Sequence, residues 1–372
     1  MMAKSKPKTN KPAGPKRQSN VAESLTSKIG QLDENLVRLL QQRAHLVLEA
    51  SRQGATPPEA VCSPMLSPMP AEPTAAAPLP PDCIHRVLRE VESGCRRLVR
   101  EPRIAFLGPA YSYSHLAAIH CFGQSVEFIP VGTIAAVFEE VHRGQSDFGL
   151  TPIENSTDGR VADTLEMFTR LRVRICGEVR LRIRHSLLGK CDRADVREVY
   201  SKPQALSQCR NWLAKHLPGA RTIEVTSTTT AAQLAGEKPG AAAIASVQAG
   251  VRYGLDVLAE GIEDNPHNTT RFAVIGDRAT PPTGDDRTAI LFEVAHRPGA
   301  LADAMVIFKR NKLNLTWIES FPIPGPTPGY LFFVEMEGHE TDARLRRALA
   351  ALGEKTLRLE VLGSFPATTP VD

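Results

Sequence analysis

The 372-residue sequence predicts an α/β protein in three parts: a helical N-terminal region, a two-lobed α/β layer and a compact βαββαβ unit. Three observations carry this. Between Arg103 and Gly276 short apolar runs alternate with helical periods, which is the pattern of a layered α/β domain. Over residues 287–366 the order becomes strand, helix, strand, strand, helix, strand, a ferredoxin-like topology. Finally, two polar blocks, Pro152-Ile153-Glu154-Asn155-Ser156-Thr157 and Asn268-Thr269-Thr270-Arg271-Phe272, each sit where an apolar strand meets a loop. Open α/β sheets build clefts at strand ends, so the pair predicts one site assembled from two lobes.

The chain opens on a basic tail, residues 1–20, expected to be disordered. Lys4, Lys6, Lys8, Lys11, Lys16 and Arg17 stand there without an acid among the first seventeen residues. Removing those six from 45 basic residues leaves 39 against 41 acids, so the body is near neutral. That excludes an extended nucleic-acid surface, which needs clustered positive charge on the folded part. Residues 21–100 form a helical region. Ile29, Leu32, Leu36, Leu39, Leu40, Leu46 and Val47 recur at helical spacing over 24–52, and a second amphipathic helix covers 84–98. Between them, residues 55–82 are rich in Pro and Ala and read as a linker.

The α/β part spans 102–279. Its expected strands include Ile104-Ala105-Phe106-Leu107, Val126-Glu127-Phe128-Ile129, Phe148-Gly149-Leu150 and Ala242-Ala243-Ile244-Ala245. Helices are expected over 114–122, 134–142, 203–213 and 228–235. Seven scattered cysteines include no Cys-x-x-Cys pair, so no disulfide framework or zinc knuckle is expected, and a reducing cytoplasm is the natural setting. No run is apolar and long enough to cross a membrane.

Five ordered motifs carry a family resemblance. They are Ala105-Phe106-Leu107-Gly108-Pro109, Ser112-Tyr113-Ser114-His115-Leu116-Ala117-Ala118, the block from Pro152 to Gly159, Tyr200-Ser201-Lys202-Pro203-Gln204, and Thr270-Arg271-Phe272. Together with the domain order, the chain resembles the P-proteins of phenylalanine biosynthesis. These join a helical chorismate mutase domain, a two-lobed, periplasmic-binding-protein-like prephenate dehydratase domain and a regulatory ACT domain. The resemblance implies decarboxylating dehydration of prephenate to phenylpyruvate. It assigns catalysis to Thr270, Asn155, Ser201 and Gln208; Ser112, Ser114, Ser156 and Thr157 are expected carboxylate contacts at helix starts, where backbone N–H groups favour anions, and Arg271 is expected to bind substrate. Read as residues alone, Ser112 and Ser114 fit helix caps equally well, and Arg271 fits a structural ion pair. Aromatisation drives the reaction, so no cofactor, metal or covalent nucleophile is implied. Arogenate, which carries an amino group where prephenate has a keto group, is the rival substrate. A non-catalytic amino-acid sensor is the rival from another class.

Three departures stand out. Tyr111 occupies a position where the family usually has Gly, and Lys202 one where His is common. In the C-terminal unit, Arg297-Pro298-Gly299-Ala300-Leu301 and Glu319-Ser320-Phe321-Pro322 resemble the ACT motifs that hold phenylalanine between paired domains. This implies an effector site of Gly299, Ala300, Leu301, Glu319 and Ser320 in a homodimer or homotetramer. Phe321 stands where the family carries Arg, and the lost guanidinium implies weaker inhibition that Phe321→Arg would sharpen. The mutase resemblance keeps Arg43 of the catalytic cations. Thr26 and Gly54 replace two others, so mutase activity is expected to be absent or near background.

Overall fold

The structure, a computed structural model, describes residues 16–54, 79–323 and 329–371. Helix α1 (Lys16–Arg52) forms a unit of its own. It begins eight residues before the apolar period does, so residues 16–20 of the expected tail are helical. The rest of that tail and most of the linker lie outside the described residues. Along α1 Leu25, Ile29, Leu32, Leu36, Val37, Leu39 and Leu46 are all exposed.

Helix α2 (Pro81–Val99) belongs to the second unit and docks on the α/β domain. Its Ser93 and Glu90 side chains accept the backbone N–H groups of Ser125 and Gln124, both at 3.0 Å. Cys95 is buried, whereas Val87, expected on the same face, is exposed.

The first lobe is a mixed sheet of strands β1 (Arg103–Leu107), β2 (Glu127–Val131), β3 (Phe148–Asn155), β4 (Gly159–Arg160), β5 (Arg174–Arg182), β11 (Thr269–Gly276) and β16 (Pro370–Val371). The order is β16-β5-β11-β3-β1-β2, with β4 hairpinned onto β3. The second lobe has the order β10-β6-β9-β7-β8: β10 (Asp256–Glu260), β6 (Ser186–Gly189), β9 (Ala241–Ala245), β7 (Glu198–Ser201) and β8 (Arg221–Glu224). All five residues of β9 are buried, as its unbroken Ala/Ile run requires for a central strand.

The chain crosses between lobes twice, at 183–185 and 261–268. The crossings are tied together by Ile183 N–H to Asn268 O (2.8 Å) and Ile262 N–H to His185 O (3.0 Å). Glu263 reinforces them, accepting from His185 N–H at 2.9 Å and pairing with Arg184 at 3.1 Å. The helix expected over 203–213 is two: Pro203–Gln208 and Arg210–His216. The Asp264 carboxylate, on the second crossing, caps the new start by accepting from Asn211 N–H (3.0 Å) and Trp212 N–H (3.1 Å).

The C-terminal unit has the predicted βαββαβ order: β12 (Asp286–Glu293), a helix at Ala300–Arg310, β13 (Leu315–Pro322), β14 (Tyr330–Glu337), a helix at Ala343–Gly353 and β15 (Arg358–Pro366). Its antiparallel sheet runs β13-β14-β12-β15. Alternation along these strands gives the sheet two apolar faces. Ile290, Phe292, Phe332, Val334 and Met336 pack under the unit's own helices. Ala289, Leu291, Leu331, Phe333, Leu362 and Phe365 join one core with Val137, Phe138, Phe168 and Ile275 of the first lobe. Gly363 marks the closest approach. Its φ is +144°, and a Cβ there would meet Ile175 O at 2.2 Å, so only glycine lets β15 cross β5.

Candidate active site

The two polar blocks meet, but not across two lobes. Both strands are longer than their apolar runs, and Thr270 lies directly opposite Asn155 in the antiparallel β11–β3 pair of the first lobe. A bulge just beyond, where Arg271 faces Glu154 but Phe272 faces Pro152, resets the faces at this point. The second lobe contributes through Gln208 and Gln204 on the helix Pro203–Gln208.

Asn155 shows how the site is oriented. Its Oδ1 accepts the backbone N–H groups of Thr157 (2.9 Å) and Asp158 (3.1 Å), closing an Asx turn that fixes the amide. Its Nδ2 therefore donates, to Thr270 Oγ1 at 2.8 Å and to Asn268 Oδ1 at 3.1 Å. Asn268 Oδ1 also accepts from Thr157 Oγ1 at 3.2 Å, and its Nδ2 donates to Gln208 Oε1 at 3.0 Å. Gln208 Nε2 donates to Asp158 Oδ2 at 2.9 Å, and Gln204 donates to the same oxygen. An ionised carboxylate only accepts. Asp158 thus sets the direction of the whole amide chain, and Thr270 Oγ1 at its far end is an acceptor from protein. The Thr270 O–H proton is left to donate elsewhere. Thr270 is half-buried, whereas Asn155, Asn268 and Gln208 are buried.

His185, on the first crossing, completes the chain. Its Nε2 lies 3.0 Å from Gln208 Oε1, an acceptor, which places the ring proton on Nε2. The Tyr113 hydroxyl lies 3.1 Å from Nδ1 and 2.6 Å from Arg184 O, and its single proton serves one of these two acceptors at a time. Burial holds the His185 imidazole below its ordinary value, outweighing the opposing effects of Gln208 and Glu263, so the ring is neutral.

The other expected site residues are placed as follows. Ser112 caps the helix Tyr113–Phe122, accepting from His115 N–H at 3.4 Å and donating to Leu107 O at 3.2 Å. Ser114 is buried in that helix's first turn. Ser156 extends the β3–β11 pairing, its Oγ accepting Thr269 N–H at 2.9 Å. Ser201 is fully buried at the end of β7 and donates to Ile244 O at 2.7 Å, which engages its proton within the second lobe. Arg271 differs most from expectation. Successive residues of a strand face opposite ways, so its side chain leaves the Thr270 face. Three carboxylates hold it: Glu154 (2.9 Å), Glu178 (2.9 Å) and Glu335 (2.9 Å). Although burial alone works the other way, Glu335 and Glu178 raise its pKa, and the guanidinium is a fixed cation turned from the cleft.

Asp158, Asn268, Gln204 and His185 are participants that motif reading passed over. Asp158, Asn268 and Gln204 lie inside quoted motifs. Nothing in the sequence reveals that Gln204 reaches Asp158 or that His185 reaches Gln208.

Tyr111 adopts φ +65°, the left-handed region that suits the glycine usual at this position. Its ring joins an apolar cluster of the second lobe with Leu188, Tyr200 and Ala249, so the loop after β1 reaches across the cleft. In the C-terminal unit, Gly299 (φ +83°) precedes the helix Ala300–Arg310. Ser320 lies opposite Phe332, on the face those helices cover; Glu319 lies opposite Phe333, on the face toward the first lobe. Glu319 is engaged there by Arg160 of β4 at 2.5 Å and by Trp317 Nε1 at 3.3 Å. Arg160 also lies 5.5 Å over the Phe321 ring. An arginine delivered by the β3–β4 hairpin thus stands against the Phe321 position.

Comparison with known proteins bears directly on this arrangement. The prephenate dehydratase family profile matches residues 104–280, which include every member of the amide chain. A bifunctional chorismate mutase/prephenate dehydratase of Aquifex aeolicus is 39% identical, over 92% of this chain and 97% of its own length. The chain belongs to the prephenate dehydratase family, on its P-protein branch. Among solved structures, a prephenate dehydratase from Arthrobacter aurescens in complex with L-Phe superposes with a TM-score of 0.66 at 32% identity, covering 71% of this chain and 90% of that one. A protein described as GqqA, a novel type of quorum quenching acylase, superposes at 0.65 and 32%, covering 72% and 98%. No described helix is long and apolar enough to cross a membrane.

Proposed function

We propose that this prephenate dehydratase uses the Thr270 hydroxyl, oriented by the Asp158–Gln208–Asn268–Asn155 chain, to donate a hydrogen bond to the departing ring hydroxyl. The observation that carries this reading is the direction of that chain. Asn155 can only donate to Thr270 Oγ1, so the threonine proton is free for substrate. In the reaction the bond to the ring carboxylate breaks and its electrons enter the ring. The C–O bond to the hydroxyl breaks at the opposite carbon, and carbon dioxide and water leave as the ring becomes aromatic. A threonine hydroxyl is a weak acid, so its contribution is hydrogen bonding to the leaving oxygen as charge develops there, with the proton of water completed from solvent or a neighbour. The backbone N–H groups at the start of the helix Tyr113–Phe122 offer a place for a substrate carboxylate, with Ser112 and Ser114 framing it.

The C-terminal unit is read as an ACT domain that binds L-phenylalanine between paired copies, through Gly299, Ala300, Leu301 and Ser320, with Glu319 acting from the opposite face. The unpaired outer edge of β13 and the exposed apolar stripe of α1 support assembly as a homodimer or homotetramer. Mutase activity is expected near background, because Thr26 and Gly54 supply no cation. One experiment tests these readings together: purified protein is offered prephenate, arogenate and chorismate in parallel, with and without phenylalanine. Phenylpyruvate from prephenate is the expected product. Turnover of arogenate alone would move the substrate assignment. Rapid consumption of chorismate would restore the mutase, and turnover of none would leave a sensor.

A further inference from the structure

The carboxylate of Glu335 comes from β14 of the C-terminal unit, yet it closes on the strand that carries Thr270. It is 1% exposed and receives Arg271 Nη2 on both oxygens, at 3.0 and 2.9 Å. The same guanidinium binds Glu178 of β5 through Nε (3.2 Å) and Nη2 (2.9 Å), and Glu154 of β3 through Nη1 (2.9 Å). Trp317 of β13 lies 5.4 Å from it and covers the remaining side. Thr368, beyond β15, donates its N–H (3.1 Å) and hydroxyl (3.0 Å) to Glu178, and Arg287 of β12 lies 3.8 Å from that carboxylate.

What this cage holds is given by register. Arg271 lies opposite Glu154, and the adjoining pair is Thr270 opposite Asn155. The two pairs face opposite sides of the same two strands, so a force on one is transmitted through a single peptide unit to the other. The bulge that follows, between Arg271 and Phe272, interrupts the regular β11–β3 pairing just beyond these two pairs, so the Arg271–Glu154 contact adds to the backbone in fixing the spacing. We propose that Glu335 is a positioning residue for the dehydration, acting through Arg271 and Glu154 to hold Thr270 and Asn155 at their working separation. The C-terminal unit therefore completes the catalytic strand pair from behind. This rests on the reading of Thr270 as the leaving-group donor.

Glu335→Gln keeps the shape and removes the charge. With the anchor weakened, kcat is expected to fall about tenfold while KM stays within about twofold, since a misplacement approaching 1 Å at the reacting group has an effect of that order. In a Thr270→Val background the same change is expected to have no further effect on kcat, because the group being positioned is gone. A full multiplicative loss in the double variant would show a general structural role and overturn the proposal, as would an unchanged kcat in the single variant. Should Gln at 335 prevent folding, Glu335→Asp, which keeps the charge on a shorter arm, carries the same expected split between kcat and KM. A crystal structure of the variant reads the positioning without activity. The Asn155 Nδ2–Thr270 Oγ1 distance is expected to lengthen beyond 3.5 Å, and an unaltered contact refutes the proposal. A lengthened contact in a protein whose wild type does not turn over prephenate would retain the positioning and refute the dehydratase reading instead.

Discussion

Thr270→Val separates chemistry from folding more cleanly than any other change in this chain. Valine keeps the β-branched shape that suits β11, and it removes one hydroxyl. Of the two Asn155 Nδ2 hydrogens, one retains Asn268 Oδ1 at 3.1 Å and the other loses its acceptor. The stability change is therefore that of one lost hydrogen bond with one donor left unpaired, about 1–3 kcal/mol, equivalent to a Tm fall of roughly 2–12 °C for a domain of this size. The catalytic loss is set by a different quantity. If the hydroxyl assists the leaving group, kcat falls roughly 10²-fold, or about 2.7 kcal/mol of transition-state stabilisation, while KM changes little. The assay is initial-rate formation of phenylpyruvate over a range of prephenate concentrations, with thermal unfolding followed on the same preparation. A kcat within twofold of wild type would refute the orientation argument. So would a loss of rate accompanied by a much larger fall in Tm, because Thr270 would then be holding the strand.

Stability should decline on mild acidification. Burial lowers the His185 and His115 imidazoles below 6.5, so the unfolded chain takes up protons first as pH falls. The stabilisation is complete above 6.5 and is lost as pH drops from there through the folded values; urea midpoints that rise between pH 6.5 and 5.5 would contradict it. Phe321→Arg is expected to set a second guanidinium against Arg160, losing a cation–π contact of about 1 kcal/mol. The variant's phenylalanine inhibition curve should then be no steeper than wild type, which reverses the expectation drawn from the motif; sharpened inhibition would restore that expectation. Tyr111→Gly should be more stable than Tyr111→Ala by about 1 kcal/mol, since both lose the ring but alanine retains the left-handed φ. Equal urea midpoints would show that the backbone there relaxes.

The element order of the C-terminal unit was legible because each of its strands and helices carries its own period. The polar blocks were legible as motifs, and Thr270 and Asn155 do meet. Their arrangement was misread: apolar runs alone ended β3 at Leu150 and began β11 at Phe272, whereas pairing between the strands extends both through polar residues. A cross-strand partner leaves no mark in a one-dimensional period. The break at Cys209 was hidden for a similar reason, since the cap that permits it, Asp264, lies more than fifty residues later. Arg271 shows the limit of motif inheritance. Adjacent to the reacting threonine in sequence, it faces the other way, and the three carboxylates that claim it come from three strands.

The two apolar faces of the C-terminal sheet bear on how this protein unfolds and how it can be divided. A module with one greasy face closed by its own helices can be cut away and remain soluble. Here Leu291, Leu331, Phe333, Leu362 and Phe365 lie on the second face, and the first lobe is what shields them. Severing the chain ahead of β12 would bare that face on one fragment and Val137, Phe168 and Ile275 on the other. Each fragment would carry a contiguous sticky surface, and aggregation would compete with folding. The intact pair should instead melt as one cooperative block, so that a protease finds no window in which the C-terminal unit is loose while the first lobe stands.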